Sequence, residues 1–381
     1  MTVLAPAASL EGVSYRYPGG DTEVLRNISL MVRRGELLAV MGKTGAGKTT
    51  LLSLFNGLIP HFYEGDLRGT VIASALNTRQ YHIHTLASRV GFVLQDTETQ
   101  ILGTTVESDT AFGPCNLGLP AGRVLSAVER SLAAVGLTGL EKRESVHLSG
   151  GEKQRLAVAG TIAMEPGVLV LDEPTSELDP EGRRELFAFL RRLRDEGKYT
   201  IVLSTHDSDE VAEFADRVAV LGDGRLLWLG EPQTLFSDGQ RCRDFGIKPP
   251  AAAEIFWHLG ERKIAADRPL PMTVSAAADR LAGLVLGART PLPVPPGSAV
   301  DRRVPAIEIE DLHFRYEGER DALNGVNLVL RQGEFIALVG TNGAGKSTLV
   351  KHFNGLLRPS SGRVSVKGLD TRSTPTSPCC V

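Results

Sequence analysis

Apolar and polar positions along the chain fall into two rhythms, and their order sets the expected architecture. Alternating patterns up to about Met41 read as antiparallel strands, and an apolar strand then feeds a glycine-rich loop and a helix from about Lys48. Residues 168–171 and 200–204 are short, apolar or β-branched runs bounded by breakers, as strands buried on both faces should be. Segments rich in Arg, Leu and Glu lie between them and read as helices. The order predicts an α/β fold with a parallel central sheet.

The pattern also repeats. LAVMGKTGAGKTTLLSLFNGL (residues 38–58) returns as LVGTNGAGKSTLVKHFNGL (residues 338–356), with Lys48 and Lys346 separated by 346 − 48 = 298 positions. Upstream, LEGVSYRYPGG around Tyr17 answers IEDLHFRYEGE around Tyr316. Such a long period means a duplicated domain rather than a solenoid. The second copy follows the first only as far as GLDTRSTPTS before ending on SPCCV, an ending that reads as a shifted frame or premature stop rather than a designed tail. The expected divisions are a complete domain over residues 1–235, a helical extension over 236–289, a Pro-rich linker over 290–305 and a truncated second copy over 306–381.

Composition narrows the function classes. Lys plus Arg number 42 against 45 Asp plus Glu, a formal charge of -3, which argues against a nucleic-acid coat. No apolar run nears the ~20 residues of a membrane span, and the first residues lack the order of a secretory signal, so a soluble cytosolic chain is expected. Cys115, Cys242, Cys379 and Cys380 have neither disulfide-framework nor zinc-finger spacing, so they read as buried or incidental thiols.

Two motifs carry chemistry. GKTGAGKTT (residues 42–50) fits G-x-x-x-x-G-K-[ST] between a strand and a helix. Its candidate phosphate contacts are Gly42, Lys43, Thr44, Gly45, Ala46, Gly47, Lys48, Thr49 and Thr50. Glycines let backbone N–H groups converge on an anion, the helix N-terminus adds positive charge, Lys48 reaches the terminal phosphates, and the Thr49 hydroxyl can ligate Mg²⁺. The repeat offers Gly340, Gly343, Gly345, Lys346, Ser347 and Thr348, with Ser347 the matching metal ligand. VLVLDEP (residues 168–174) puts Asp172 and Glu173 at a strand end, where open α/β sheets bind ligands. These adjacent carboxylates call for a counter-cation, with Asp172 on Mg²⁺ and Glu173 polarising a water; a solvated acidic turn is the plainer alternative.

LSGGEKQR (residues 148–155), between the phosphate loop and DEPTSELDP, resembles the signature segment of ATP-binding cassette (ABC) ATPases. In order the chain presents Tyr17, the phosphate loop, Gln95, LSGGE, Asp172–Glu173, residues 176–179 and His206, a series no rival family supplies. The resemblance implies a P-loop NTPase fold: a parallel core sheet, an antiparallel β subdomain, a helical signature subdomain and an incomplete second copy. It implies ATP and Mg²⁺ as ligands. Tyr17, and Tyr316 in the repeat, would stack on adenine, leaving Tyr15 to the core. Gln95 would touch Mg²⁺ or the lytic water, and His206 would contact the γ-phosphate and steady Glu173. Ser149, Gly150 and Gly151 would grip a nucleotide held by another ATPase domain, in a homodimer or heterodimer, and Asp179 would couple the two sites. Lys43 departs from the family's small or Pro residue; it adds a phosphate contact or faces solvent.

TQILGTTVESDTAFGPCNLGLP (residues 99–120), the phrase FNGL and FGIKPPAAAEIFWHLG (residues 245–260) are similar to cobalt and vitamin importers of the energy-coupling-factor type. That implies a peripheral subunit at the cytoplasmic face of the cell membrane, with a transmembrane coupling subunit and a substrate-capturing membrane protein. The cargo would be a vitamin, vitamin precursor, cobalt or nickel. Two alternatives stand beside it: a truncated ATP-binding product without turnover, and a soluble duplicated ABC protein outside transport. The second copy lacks the Gln loop, signature, acidic strand end and His switch, so marginal folding is expected for it.

Overall fold

The computed structural model describes residues 5–176, 178–262, 269–282, 304–316, 321–341 and 343–372. The chain divides into two compact units, Met1–Val285 and Leu286–Val381.

The first unit opens with β1 (Ala8–Arg16) and β2 (Leu25–Val32), whose alternating burial suits an antiparallel pair with Ala8 opposite Val32. The antiparallel run stops there. β3 (Leu37–Gly42), expected as part of that run as far as Met41, is buried at all six positions and lies in the parallel sheet, because both its faces are covered. After α1 (Lys48–Phe55) and α2 (Leu58–His61), β4 (Asp66–Ala73) and β5 (Leu76–Asn77) complete an antiparallel sheet of order β2-β1-β4-β5.

The chain then passes through α3 (Ile83–Ala87) and β6 (Val90–Val93) into three helices, α4 (Val106–Asn116), α5 (Ala121–Ala134) and α6 (Gly150–Ile162). It returns through β7 (Val168–Asp172), α7 (Pro180–Asp195), β8 (Thr200–Ser204), α8 (Ser208–Phe214), β9 (Arg217–Gly222) and β10 (Arg225–Gly230). The main sheet has the order β10-β9-β3-β8-β7-β6, parallel except for the β9–β10 hairpin. β3 is flanked by β8 and β9, so β3 and β8 are central and their C-terminal ends face the same crevice.

α9 (Pro232–Phe236) straddles the boundary expected at residue 235, and α10 (Gly239–Phe245), α11 (Ala251–Glu261) and α12 (Val274–Ala282) follow it in the extension. They belong to the same core as Met41, Val218 and Val220, through Leu235, Phe236, Cys242 and Phe256. Cys242 is buried, and desolvation pushes its thiol up to about 11, which fits an inert packing role. Cys115 is exposed, while Cys379 and Cys380 lie outside the described residues.

The second unit holds β11 (Pro305–Arg315), β12 (Asp321–Arg331), α13 (Lys346–Phe353), β13 (Ser361–Val366) and β14 (Leu369–Asp370). Its sheet order β12-β11-β13-β14 reproduces that of β2-β1-β4-β5. Pro305, assigned by sequence to the linker, opens β11; residues 290–303 lie outside the described residues. Residues 334–341, which repeat β3, form no strand, and Phe335 and Val339 are 100% and 88% exposed. β3 owes its strand state to pairing with β8 and β9, and no counterpart of either is among the described residues of this unit.

Candidate active site

The phosphate loop is shaped by sterics first. A Cβ on Gly42 would lie 2.2 Å from the Leu221 carbonyl oxygen, and one on Gly47 would lie 2.9 Å from Leu25 Cδ2. Gly47 also sits at φ 98, where a side chain is strained, so glycine is required at both places. Lys48 is 6% exposed and folds back over the loop, donating to the carbonyls of Gly42 (3.1 Å) and Lys43 (3.4 Å). Thr44, Gly45 and Thr49 are exposed, Ala46 is buried, and the buried Thr50 places Oγ1 3.1 Å from the Tyr17 hydroxyl. Tyr17 is half-buried, edge-on to Tyr15 at 4.8 Å. Tyr15 belongs to the core: its hydroxyl donates to the Glu64 carbonyl at 2.8 Å, and burial pushes its phenol up to about 12.

The acidic strand end is split by β8. Ser204 stands in register with both Val40 of β3 and Asp172 of β7. Its hydroxyl donates to Asp172 Oδ1 at 2.5 Å and accepts the Glu173 backbone N–H at 2.8 Å. Asp172 thus stays in the buried sheet, whereas Glu173, at φ 45, turns away. A left-handed glutamate costs about 1–3 kcal/mol and is tolerated where surrounding structure over-determines it. Glu173 Oε1 reaches to 3.6 Å from Lys48 Nζ and 3.1 Å from His206 Nε2, and that ring nitrogen is 3.1 Å from Lys48 Nζ. The phosphate-loop lysine thus stands beside Glu173, while Asp172 keeps its bond to Ser204. A carboxylate, a cation and an imidazole meet beside a loop built to bind phosphate, an arrangement suited to directing water at a phosphoryl group.

The remaining candidates lie outside this triangle. Gln95 is exposed after β6, in a loop braced by Gln100, whose amide donates to the Phe92 carbonyl (3.0 Å) and accepts from the Leu94 N–H (2.9 Å). The sequence assigns no role to Gln100 or Ser204; each is found only by where its side chain lands. Ser149 is exposed and caps α6, accepting from Glu152 N–H, while Glu152 accepts the Ser149 N–H at 2.7 Å. A Cβ on Gly150 would meet nothing within 4 Å, and Gly151 is half-buried next to it. Asp179 caps α7 through the Gly182 N–H at 2.8 Å. Lys43 is exposed, its stem lying across Gly246 of the extension.

In the second unit Lys346 Nζ donates to the Gly340 and Thr341 carbonyls at 2.8 and 2.7 Å, and the Tyr316 hydroxyl is 3.3 Å from Thr348 Oγ1. Gly343 and Gly345 are left-handed at φ 80 and 82, and Ser347 is exposed. The loop is copied, but no acidic strand end accompanies it among the described residues.

Among the described residues no cluster of three or more His, Cys, Asp or Glu could hold a metal. The oxygen donors of Thr49, Asp172 and Gln95 nevertheless suit Mg²⁺, which keeps several waters and takes much of its shell from substrate phosphates.

A phosphate loop whose lysine meets an acidic strand end, with a histidine after the next strand, defines a P-loop nucleotide-binding domain. The chain belongs to the ABC transporter family, whose model matches residues 25–176 and 323–378 and whose ATPase domains hydrolyse ATP. An ABC transporter ATP-binding protein of Methanosarcina mazei is 41% identical over 369 residues, 94% of this chain and 62% of that protein. The chain thus spans about three-fifths of that relative's length. An energy-coupling factor transporter ATP-binding protein of Methanospirillum hungatei is 41% identical over 71% of this chain and 67% of its own. Among solved structures, cbiO1 of Clostridium perfringens, described as part of the ABC transporter complex cbiONQ, aligns with TM-score 0.57 and 32% identity over 66% of this chain and 99% of that one. Among the described residues no helix is long and apolar enough to cross a membrane.

Proposed function

We propose that this chain binds and hydrolyses ATP to drive an ABC importer of the energy-coupling-factor type, from the cytoplasmic face of the membrane. The observation that carries the catalytic part is the Lys48–Glu173–His206 triangle, with sides of 3.1, 3.1 and 3.6 Å beside the loop of Gly42–Thr49. In this reading Lys48 leaves its loop carbonyls for the terminal phosphates, Glu173 takes a proton from the attacking water, and His206 holds Glu173 and the γ-phosphate in line. Thr49, Asp172 and Gln95 would hold Mg²⁺, which when bound offsets charge on the phosphates. Tyr17 stacks on adenine. Ser149, Gly150 and Gly151 close over the nucleotide of a second ATPase domain, to which Asp179 is coupled.

The importer part is supported by the similarity to the energy-coupling factor protein and to cbiO1. It calls for a transmembrane coupling subunit and a membrane protein that captures a vitamin, vitamin precursor, cobalt or nickel. Two measurements test the whole. Turnover of the purified chain should vanish in Glu173→Gln while ATP binding persists; equal rates sink the catalytic reading. Expression in membranes with a coupling subunit should give an ATP-sensitive complex, and its consistent absence sinks the importer reading.

A further inference from the structure

The catalytic histidine of the proposed site lies on the connection between β8 and α8, and α8 is fastened from outside the ATPase core. Ser208, two residues past His206 and 5% exposed, donates its hydroxyl to the backbone carbonyl of Lys248. The Asp209 carboxylate accepts the Ala251 N–H at 2.9 Å. Val211, on the buried face of α8, packs in one cluster with Ile247, Ala252 and Phe256. One short stretch of the extension therefore grips the helix by two hydrogen bonds and a shared core.

The same stretch touches the phosphate loop. Gly246 is left-handed at φ 65, and a Cβ there would fall 2.1 Å from Lys43 Cε, so the stem of Lys43 occupies the space that only glycine leaves open. Lys248 and Pro249 line a cavity of about 310 Å³ together with Glu173, His206, Arg183 and Ser208. Residues 246–251 thus span from the phosphate loop to the first turn of the histidine's helix, along the wall of the proposed site.

We propose that residues 246–251 are a latch that keeps His206 in register with Glu173 and Lys48, with Ser208 the positioning residue through which it acts. This rests on the proposed role of His206. The physical reason is rotational: α8 has only seven residues, Asp207 caps it, and nothing in so short a helix fixes its phase except what it packs against. Losing the anchor lets the His206 ring swing, and a shift on the order of 1 Å in a positioning group costs up to ~100-fold in rate while leaving ground-state binding intact.

The test is Ser208→Ala in the full chain, compared with Ser208→Thr, which keeps a hydroxyl. The expected result is a fall in kcat on the order of tenfold with KM for ATP nearly unchanged, largely restored by threonine. In a His206→Ala background the same substitution should add no further loss, since it acts through that ring. Hydrogen exchange, which needs no turnover, should rise in Ser208→Ala over residues 208–214 and stay unchanged over α1. A wild-type kcat, an equal loss in the His206→Ala background, or faster exchange spread evenly over the core overturns the latch. If His206→Ala itself turns over normally, the reading of the site has failed, and the latch as a catalytic device falls with it.

Discussion

Glu173 combines backbone strain with the role of base in the proposed chemistry. Its left-handed conformation throws its carboxylate toward Lys48 and His206 while the neighbouring Asp172 stays bound to Ser204. Glu173→Gln should lower kcat by at least ~100-fold with nucleotide affinity retained, measured by phosphate release and by equilibrium binding of labelled ATP. Glu210 offers a pH test at the same helix. Burial first, then the charges of Asp207 and Glu213, push its carboxyl up to about 7, and its Oε2 has no hydrogen-bond partner. A carboxyl raised on folding contributes stability that is fully present below its unfolded value, about 4.5, and is lost as pH rises through about 7. Glu210→Gln should therefore melt higher than the natural chain at pH 8, with the gap closing toward pH 5, by thermal denaturation across that range. A gap that widens on acidification contradicts the assignment.

β8 is what turns two motifs into one site. It lies between β3 and β7, and Ser204 at its end touches both the Asp172 carboxylate and the Glu173 backbone. Ser204→Ala leaves a buried carboxylate short of a donor, for which about 1–3 kcal/mol of destabilisation is expected by urea unfolding, together with reduced kcat. A second tie joins β9 to the turn before β3: Arg217 donates to Glu36 at 2.7 and 2.9 Å with both residues buried, and to the Met31 carbonyl at 2.6 Å. Breaking it on one side strands a buried charge. Glu36→Gln should cost about 3–5 kcal/mol, and a chain that unfolds at the natural urea midpoint would show the pair to be idle.

The described residues hold one assembled triangle and two phosphate loops. Ser149 and Gly150, which the proposed sandwich needs against a nucleotide on another domain, are exposed. Turnover per chain should therefore rise with chain concentration before reaching a plateau; a specific activity independent of dilution argues against sandwiching by self-association. The second unit tests the dependence of a phosphate loop on its sheet. Its buried apolar cluster consists of Ile309, Leu312, Leu323, Leu349 and Val364, while Phe335 and Val339 are exposed. Residues 304–372 alone should bind a hydrophobic dye and melt broadly. A sharp, dye-free transition would refute this.

Much of the architecture was legible along the chain because local rules wrote it: the glycines and lysine of residues 42–48, the apolar or β-branched runs of β7 and β8, the helix start at Ser149, and the duplication itself. These follow from backbone sterics, strand periodicity and helix-end hydrogen bonding, which act within a few residues. Long-range placement did not follow. That Leu37–Gly42 pairs in parallel, that Ser204 joins Asp172 to Glu173, that Gln100 braces the Gln95 loop, and that Gly246 meets Lys43 all depend on which strand lies beside which. A closely similar apolar string is a central strand at residues 37–42 and no strand at 334–341, because a buried parallel strand is stabilised by neighbours contributed from distant parts of the chain.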